Sequence, residues 1–287
     1  MRTPNWKDYS VIATSDGYKL ERWDKVILLR PDPQVIWTGQ NLDEYKDLSA
    51  KYVRSETGGG KWQYKKSFPE EWTIGYKELK FKIKPMGFKH TGLFPEQAVN
   101  WDLMIDLIKK SGREINVLNL FAYTGGATVA CAYAGATVCH VDSSKGMVER
   151  AGENVRLSNL KDAKVRYIID DCKKFVEREI RRGRKYDAII MDPPSYGRGP
   201  NGEMWKLEAE LFPLVRLCEQ VLSDNPLFFL INSYTTGLQP QVLKNILELT
   251  VAKGRKGRVE AYEVGLPTEE NGVILPCGNS GIWINGK

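Results

Sequence analysis

From residue 115 onward, short apolar segments alternate with helical ones. Segments 115–121 (INVLNLF), 137–142 (TVCHVD), 164–169 (KVRYII), 187–191 (DAIIM) and 226–232 (PLFFLIN) have the length and apolar content of strands. Helical patterns at 126–135, 144–158, 171–183, 206–223 and 239–252 follow them in turn, the fourth after a polar loop. Ahead of the series, Pro95-Glu96-Gln97 opens an amphipathic helix that runs to about Lys110 and stops at Ser111-Gly112. Two last segments, 257–264 and 279–284, read as strands joined by a Pro/Gly-rich loop. Apolar strands separated by helices predict an α/β fold with a parallel sheet covered on both faces. Ligands of such sheets bind beyond the carboxyl ends of the strands, so those ends are the candidate site.

Each strand end carries a distinctive set of residues. The first runs Asn119-Leu120-Phe121-Ala122-Tyr123-Thr124-Gly125-Gly126, where two glycines let a ligand approach the backbone at a helix N-terminus. The dinucleotide fingerprint GxGxxG is not present there, and no phosphate-cradling GxxxxGK[ST] occurs. The second strand ends in Asp142-Ser143, where an acid either accepts both hydroxyls of a ribose or caps the next helix. The third ends in Asp170-Asp171-Cys172, with a carboxylate placed for an adenine amino group or, again, for a helix cap. The fourth ends in Asp192-Pro193-Pro194-Ser195-Tyr196-Gly197-Arg198. Two prolines stiffen this backbone and remove two donors, which predicts bare carbonyls beside a carboxylate. That array accepts from an amino group; Tyr196 offers a ring for a planar base and Arg198 a cation for phosphate.

The first third reads differently. Segments 9–14, 18–23 and 25–30 are short and alternating, with a hairpin signal at Asp16-Gly17, and strands resume around 72–84. Gly58-Gly59-Gly60 predicts a surface loop. The expected organisation is a β-rich domain over 1–85, a candidate for RNA binding, and a sheet domain over 86–287. Between Lys51 and Lys89 lie ten lysines and arginines against four glutamates, an excess equal to the +6 of the whole chain. The same stretch holds Trp62, Tyr64, Phe68, Trp72 and Phe88. Cations interleaved with rings suit a phosphate backbone with unstacked bases, or else the basic solvent face of a twisted sheet.

Other classes are disfavoured. No run of eighteen apolar residues exists and MRTPNWKDYS has no signal-peptide core, so no membrane association is expected and the expected location is cytoplasmic. Five scattered cysteines without a CxxC and only two histidines, His90 and His140, predict no metal site and small buried thiols.

The motifs GFKHTGLFPEQ, VLNLFAYTGG, HVDSSK, DDCKKF and MDPPSYGRG resemble those of class I S-adenosylmethionine-dependent methyltransferases, and among them the ribosomal RNA large-subunit methyltransferase group. The resemblance covers residues from about 86 to the C-terminus. It implies a Rossmann-like seven-stranded sheet whose last two strands form an antiparallel edge. It implies S-adenosyl-L-methionine as cofactor, with Asn119 to Gly126 along its methionine part and Asp142 on its ribose. Asp171 and the Cys172 backbone would meet the adenine, Phe94 and Gln97 would close over the cofactor, and Asp192 to Tyr196 would hold the target base.

Three departures from the group's pattern stand out. Asn119 replaces the usual aspartate; Ser195 intervenes between Pro-Pro and the aromatic; and the loops PPSYGRG and INSYTTG lack the cysteine used to methylate cytosine carbon 5. The expected function is therefore methylation of a base nitrogen in ribosomal RNA by direct transfer. The competing readings are a protein or small molecule as methyl acceptor, and an RNA-binding module of weak catalysis.

Overall fold

The computed structural model describes residues 6–55, 59–87, 89–198 and 204–286. Glu56, Gly58 and Phe88 lie outside the described residues, as does the side chain of Arg198. Two compact units emerge: one of the residues up to Val99 together with Val264–Cys277, the other of Asn100–Glu263 with the residues from Gly278 on. The division thus falls after Val99 rather than at 85, and the tip of the last hairpin belongs to the first unit.

In the first unit, β1 (Tyr9–Ser15), β2 (Tyr18–Trp23), β3 (Val26–Pro31), β4 (Ala50–Arg54) and β5 (Gly60–Tyr64) form one five-stranded sheet in chain order. Asp16 and Gly17 take φ values of 52° and 79°, which is how a two-residue turn joins β1 to β2. The strands β6 (Trp72–Tyr76) and β7 (Leu79–Ile83) form a separate hairpin. Apolar alternation buries Ala13, Leu20, Ile27, Leu29, Leu42 and Leu48 together. The same unit buries an ion pair: Arg30 Nε donates to Glu21 Oε2 at 2.5 Å and Nη2 to Oε1 at 2.8 Å, and the Tyr9 hydroxyl donates to the same carboxylate at 2.7 Å. Burial opposes ionisation of Glu21, but the Arg30 guanidinium holds its carboxyl well below the usual range.

The basic stretch is less cationic in space than along the chain. Lys51 lies 2.5 Å from Asp43, Lys66 2.9 Å from Asp47, Lys82 2.8 Å from Glu71 and Lys84 2.5 Å from Glu70. Asp43 and Asp47 lie outside the window in which the charge excess is counted.

In the second unit, α1 (Ala98–Ser111) leads into β8 (Asn116–Leu120), α2 (Gly126–Tyr133), β9 (Thr137–Asp142), α3 (Lys145–Leu157), β10 (Val165–Ile169), α4 (Cys172–Arg181) and β11 (Ala188–Met191). A short hairpin, β12 (Tyr196–Arg198) with β13 (Met204–Lys206), then precedes α5 (Leu207–Glu219). The stretch expected to be a polar loop is therefore partly strand. The chain closes with β14 (Phe228–Ser233), α6 (Pro240–Leu249), β15 (Gly257–Pro267) and β16 (Ile274–Asn285).

The sheet order is β10-β9-β8-β11-β14-β16-β15, seven strands as the resemblance implies. Neighbours from β10 to β14 are parallel, and β16 runs antiparallel to β14. Leu118, Leu120, Val141, Ile189, Met191, Phe229 and Ile231 belong to one core cluster under helices. The strand order reverses between β8 and β11, so a crevice opens beyond their carboxyl ends. Among the described residues, no helix is long and apolar enough to cross a membrane.

Candidate active site

The loop after β8 has an unusual backbone. Phe121, Tyr123 and Gly125 take positive φ values of 54°, 49° and 82°. Left-handed conformations cost a non-glycine residue of order 1 kcal/mol, so surrounding contacts must hold this path. They do. Phe121 N donates to Cys172 Sγ at 3.2 Å, Ala122 N to Val141 O at 3.1 Å and Tyr123 N to Asp142 Oδ2 at 2.8 Å. Asn154 Nδ2 donates to Thr124 O at 2.9 Å. Ala122 and Thr124 are buried, whereas Phe121 and Tyr123 are half-buried.

Gly125 opens α2 with no side-chain cap. A Cβ on Gly125 would lie 2.8 Å from the Ala151 Cβ, and one on Gly126 2.8 Å from the Trp101 ring. Both glycines are thus required by close packing, and Gly125 by backbone freedom as well.

The Asp142 carboxylate fastens backbone on both sides of it. Its Oδ2 accepts from Tyr123 N, and its Oδ1 accepts from Ser144 N at 2.9 Å at the start of α3. The helix N-cap is Ser144, not Asp142 or Ser143, and Ser143 is exposed. A carboxylate has about four acceptor positions, so two remain for hydroxyl donors. Asp171 caps α4 by accepting from Lys174 N at 2.9 Å. Cys172 is buried beneath the first loop, and burial pushes its thiol up.

At the fourth strand end, Asp192 N reaches Leu120 O at 3.4 Å across β11 and β8. Pro193 is buried, and Pro194 and Ser195 are exposed. The Pro194 carbonyl is not bare as expected: Trp205 Nε1 donates to it at 2.5 Å. Ser195 O accepts from Leu207 N at 3.1 Å, and the Thr235 hydroxyl lies 2.6 Å from Ser195 Oγ. The Trp205 ring lies 5.5 Å from the Phe121 ring, joining this strand end to the first. Tyr196, 51% exposed, donates its hydroxyl to Met204 Sδ across the hairpin at 3.0 Å.

Asn119, Phe121 to Gly126, Asp142, Ser143, Asp171, Cys172 and Asp192 to Tyr196 all fall within the second unit. Phe94 and Gln97 belong to the first. Phe94 precedes the turn Pro95–Gln97 with its ring 5.6 Å from His90, and Gln97 is buried. Trp205, Thr235, Thr128 and Asn154 escaped the sequence reading. Trp205 lies in a polar stretch that carries no strand signal, and Thr235 in the INSYTTG loop, where nothing local marks its contact with Ser195. A cofactor with a ribose and a flexible chain fits this crevice on two counts. The glycine turn approaches within contact of α3 and α1, and Asp142 has acceptor positions to spare. Among the described residues, no group of three His, Cys, Asp or Glu side chains is placed to hold a metal ion.

The family model for S-adenosylmethionine-dependent methyltransferases matches residues 47–248. A ribosomal RNA large subunit methyltransferase K/L of Shewanella frigidimarina is 35% identical over 148 residues, which is 51% of this chain and 20% of that protein. Its counterpart from Pseudoalteromonas atlantica is 34% identical over 161 residues, 55% of this chain and 22% of that protein. The chain therefore spans about a fifth of the length of these curated relatives. The crystal structure of a SAM-dependent methyltransferase from Agrobacterium tumefaciens superposes with a TM-score of 0.93 at 31% identity, covering 99% of this chain and 92% of that one. The M. jannaschii tRNA m1G37 methyltransferase shares the fold, with a TM-score of 0.56 at 13% identity over 97% of this chain and 75% of that one.

Proposed function

We propose that this chain, which belongs to the S-adenosylmethionine-dependent methyltransferase family, methylates a nitrogen of a base in ribosomal RNA by direct transfer, in the cytoplasm. The observation that carries the acceptor is the fourth strand end. There Asp192 and the stiff Pro193-Pro194 backbone stand beside an exposed tyrosine ring, at the crevice where the strand order reverses. The names of the relatives at about a third identity favour ribosomal RNA over a protein or a metabolite.

S-adenosylmethionine, when bound, supplies an electrophilic sulfonium methyl group. Residues 121–126 would hold its methionine part, Asp142 its ribose, and Asp171 with the Cys172 backbone its adenine; Asn119, expected along the methionine part, is buried with its amide on Thr128 and lies beneath that loop instead. Asp192 and the Pro193 carbonyl accept from the target amino group, orient its lone pair and stabilise the positive charge that grows on nitrogen. Tyr196 stacks on the base, which must leave its helix to be reached. Trp205 and Thr235 fix the backbone that carries these acceptors.

Contact of the first unit with RNA belongs to the same reading. Its exposed lysine–carboxylate pairs are weak, so phosphates can displace the acids. Neutralising Lys61, Lys65 and Lys66 should then flatten the salt dependence of RNA binding. The deciding experiment maps modified positions in ribosomal RNA with and without the gene, alongside labelled-methyl transfer to purified RNA and protein pools. Label entering protein alone overturns the reading.

A further inference from the structure

Beneath the cofactor loop lies a buried polar chain that the proposed chemistry does not use. Asn119 on β8 and His140 on β9 are register partners in the parallel pair. Between them stands Thr128, in the first turn of α2. Asn119 Nδ2 donates to Thr128 Oγ1 at 2.9 Å, and Thr128 Oγ1 lies 2.9 Å from His140 Nδ1. Their exposures are 3%, 0% and 0%, so water does not reach them.

Three constraints fix the direction of this chain. An amide nitrogen only donates, so the threonine oxygen accepts from Asn119. A hydroxyl has one proton and two lone pairs; among the described residues Thr128 Oγ1 meets only Asn119 and His140, so its proton finds an acceptor only if it points at His140 Nδ1. A ring nitrogen that accepts carries no proton, so the imidazole proton sits on Nε2. That Nε2 is buried and makes no hydrogen bond among the described residues. Burial also holds the ring neutral, pushing its pKa down to about 4. Burial alone accounts for that shift, with no charged neighbour contributing, and the Tyr167 ring of β10 lies 5.8 Å from the imidazole.

We propose that Asn119, Thr128 and His140 form a one-way hydrogen-bond relay that positions the first turn of α2, and with it the 121–126 loop, with His140 locked as the neutral Nε2–H tautomer. The inference rests on the reading of that loop as the cofactor loop. The three are positioning residues. Asn119 ties β8 to α2, His140 ties β9 to α2, and the loop between β8 and α2 is held at both ends. An aspartate at 119 would reverse the direction: a carboxylate only accepts, so Thr128 would donate to it and would accept from a proton on His140 Nδ1.

The chain has only two histidines, so both imidazoles are resolvable by long-range nitrogen–proton NMR of labelled protein. The expected spectrum shows His140 as Nε2–H from pH 5.5 to 8, changing to Nδ1–H or to imidazolium in Asn119→Asp. Thr128→Val should weaken S-adenosylmethionine binding by about tenfold in calorimetry, the effect of one lost buried hydrogen bond. Thr128→Ser should restore it. An Nδ1–H tautomer in the wild type, or one unchanged in Asn119→Asp, overturns the relay. Unaltered affinity in Thr128→Val overturns its positioning role. Neither measurement involves RNA, so failure of the RNA reading leaves both outcomes interpretable.

Discussion

Trp205 Nε1 donates to the Pro194 carbonyl at 2.5 Å, tying the short hairpin before α5 to the acceptor-rich end of β11. The same indole packs against Phe121. Trp205→Phe keeps the ring and removes the donor, so the fold should survive with a loss of about 1 kcal/mol. Cofactor affinity should stay constant, while kcat on RNA falls by roughly ten- to a hundredfold because the Asp192–Tyr196 backbone is less well placed. Equal kcat in the variant would leave Trp205 a surface brace only.

Gly125 separates two kinds of glycine requirement. At φ 82° and 2.8 Å from the Ala151 Cβ, Gly125→Ala meets both strain and a clash. Gly135, at φ 92°, has open space within 4 Å of where a methyl group would stand, so Gly135→Ala meets strain alone. Gly135→Ala should cost about 1 kcal/mol of unfolding free energy and leave S-adenosylmethionine affinity alone. Gly125→Ala should cost more and also weaken cofactor binding at least tenfold, read by thermal melting and calorimetry on the same samples.

The crevice was legible because its signals are local. The Gly125-Gly126 turn, Asp142, Asp171 and Asp192-Pro193-Pro194 each follow a strand within a few residues, and apolar runs reveal the strands themselves. What stayed hidden depends on pairing at a distance. The strands β4 and β5 carry Lys51, Lys61 and Gln63 on one face and so read as a charged stretch. The acids Asp43 and Asp47 neutralise lysines they do not adjoin in sequence. Thr128 meets Asn119 and His140 only because β8 and β9 are neighbours, a fact of sheet order that periodicity does not contain. The bidentate Glu21–Arg30 pair likewise depends on the register of β2 with β3.

Asp142 holds both the Tyr123 and the Ser144 amides, so its loss reaches beyond any ribose contact. Asp142→Ala should reduce S-adenosylmethionine affinity by about 1–3 kcal/mol, with Asp142→Asn intermediate because it retains one acceptor oxygen. Isothermal titration checks this, and unchanged affinity would make Asp142 a loop fastener alone. Phe94→Ala and Gln97→Ala belong in the same series, since their expected role rests on the resemblance.

Stability should fall in mild acid. Burial pushes His140 down to about 4, and burial with the nearby Arg30 does the same for His90. An unfolded histidine titrates near 6.5, so between about 6.5 and 4 the unfolded chain binds more protons than the folded one. The stabilisation is complete above about pH 6.5 and is lost as pH falls toward about 4. For His140 the difference corresponds to about 3 kcal/mol. Urea unfolding at pH 7 and pH 5 should show the drop, and His140→Gln should flatten it. A stability that rises on acidification would contradict the buried neutral ring.

The chemical step separates Asp192 from the cysteines. Carbon 5 of a pyrimidine becomes nucleophilic only after a thiolate adds to carbon 6, so that branch needs a cysteine ready to ionise beside the base. Cys131, Cys139, Cys172 and Cys218 are buried. Burial pushes their thiols up, Cys139 to about 11 and the others further. Cys277 lies in the first unit, where burial, reinforced by Glu96, also holds its thiol well above the ordinary value. None of the five is poised as a thiolate near neutral pH. Transfer to nitrogen needs none, only an acceptor for the developing charge, the role proposed above for Asp192. Cys277→Ala should therefore leave the single-turnover rate within about tenfold, whereas Asp192→Ala should lower it roughly a hundredfold or more. The order of these two effects is the test. A covalent complex trapped on 5-fluorocytosine RNA and abolished by Cys277→Ala would reverse it and place the chemistry at carbon.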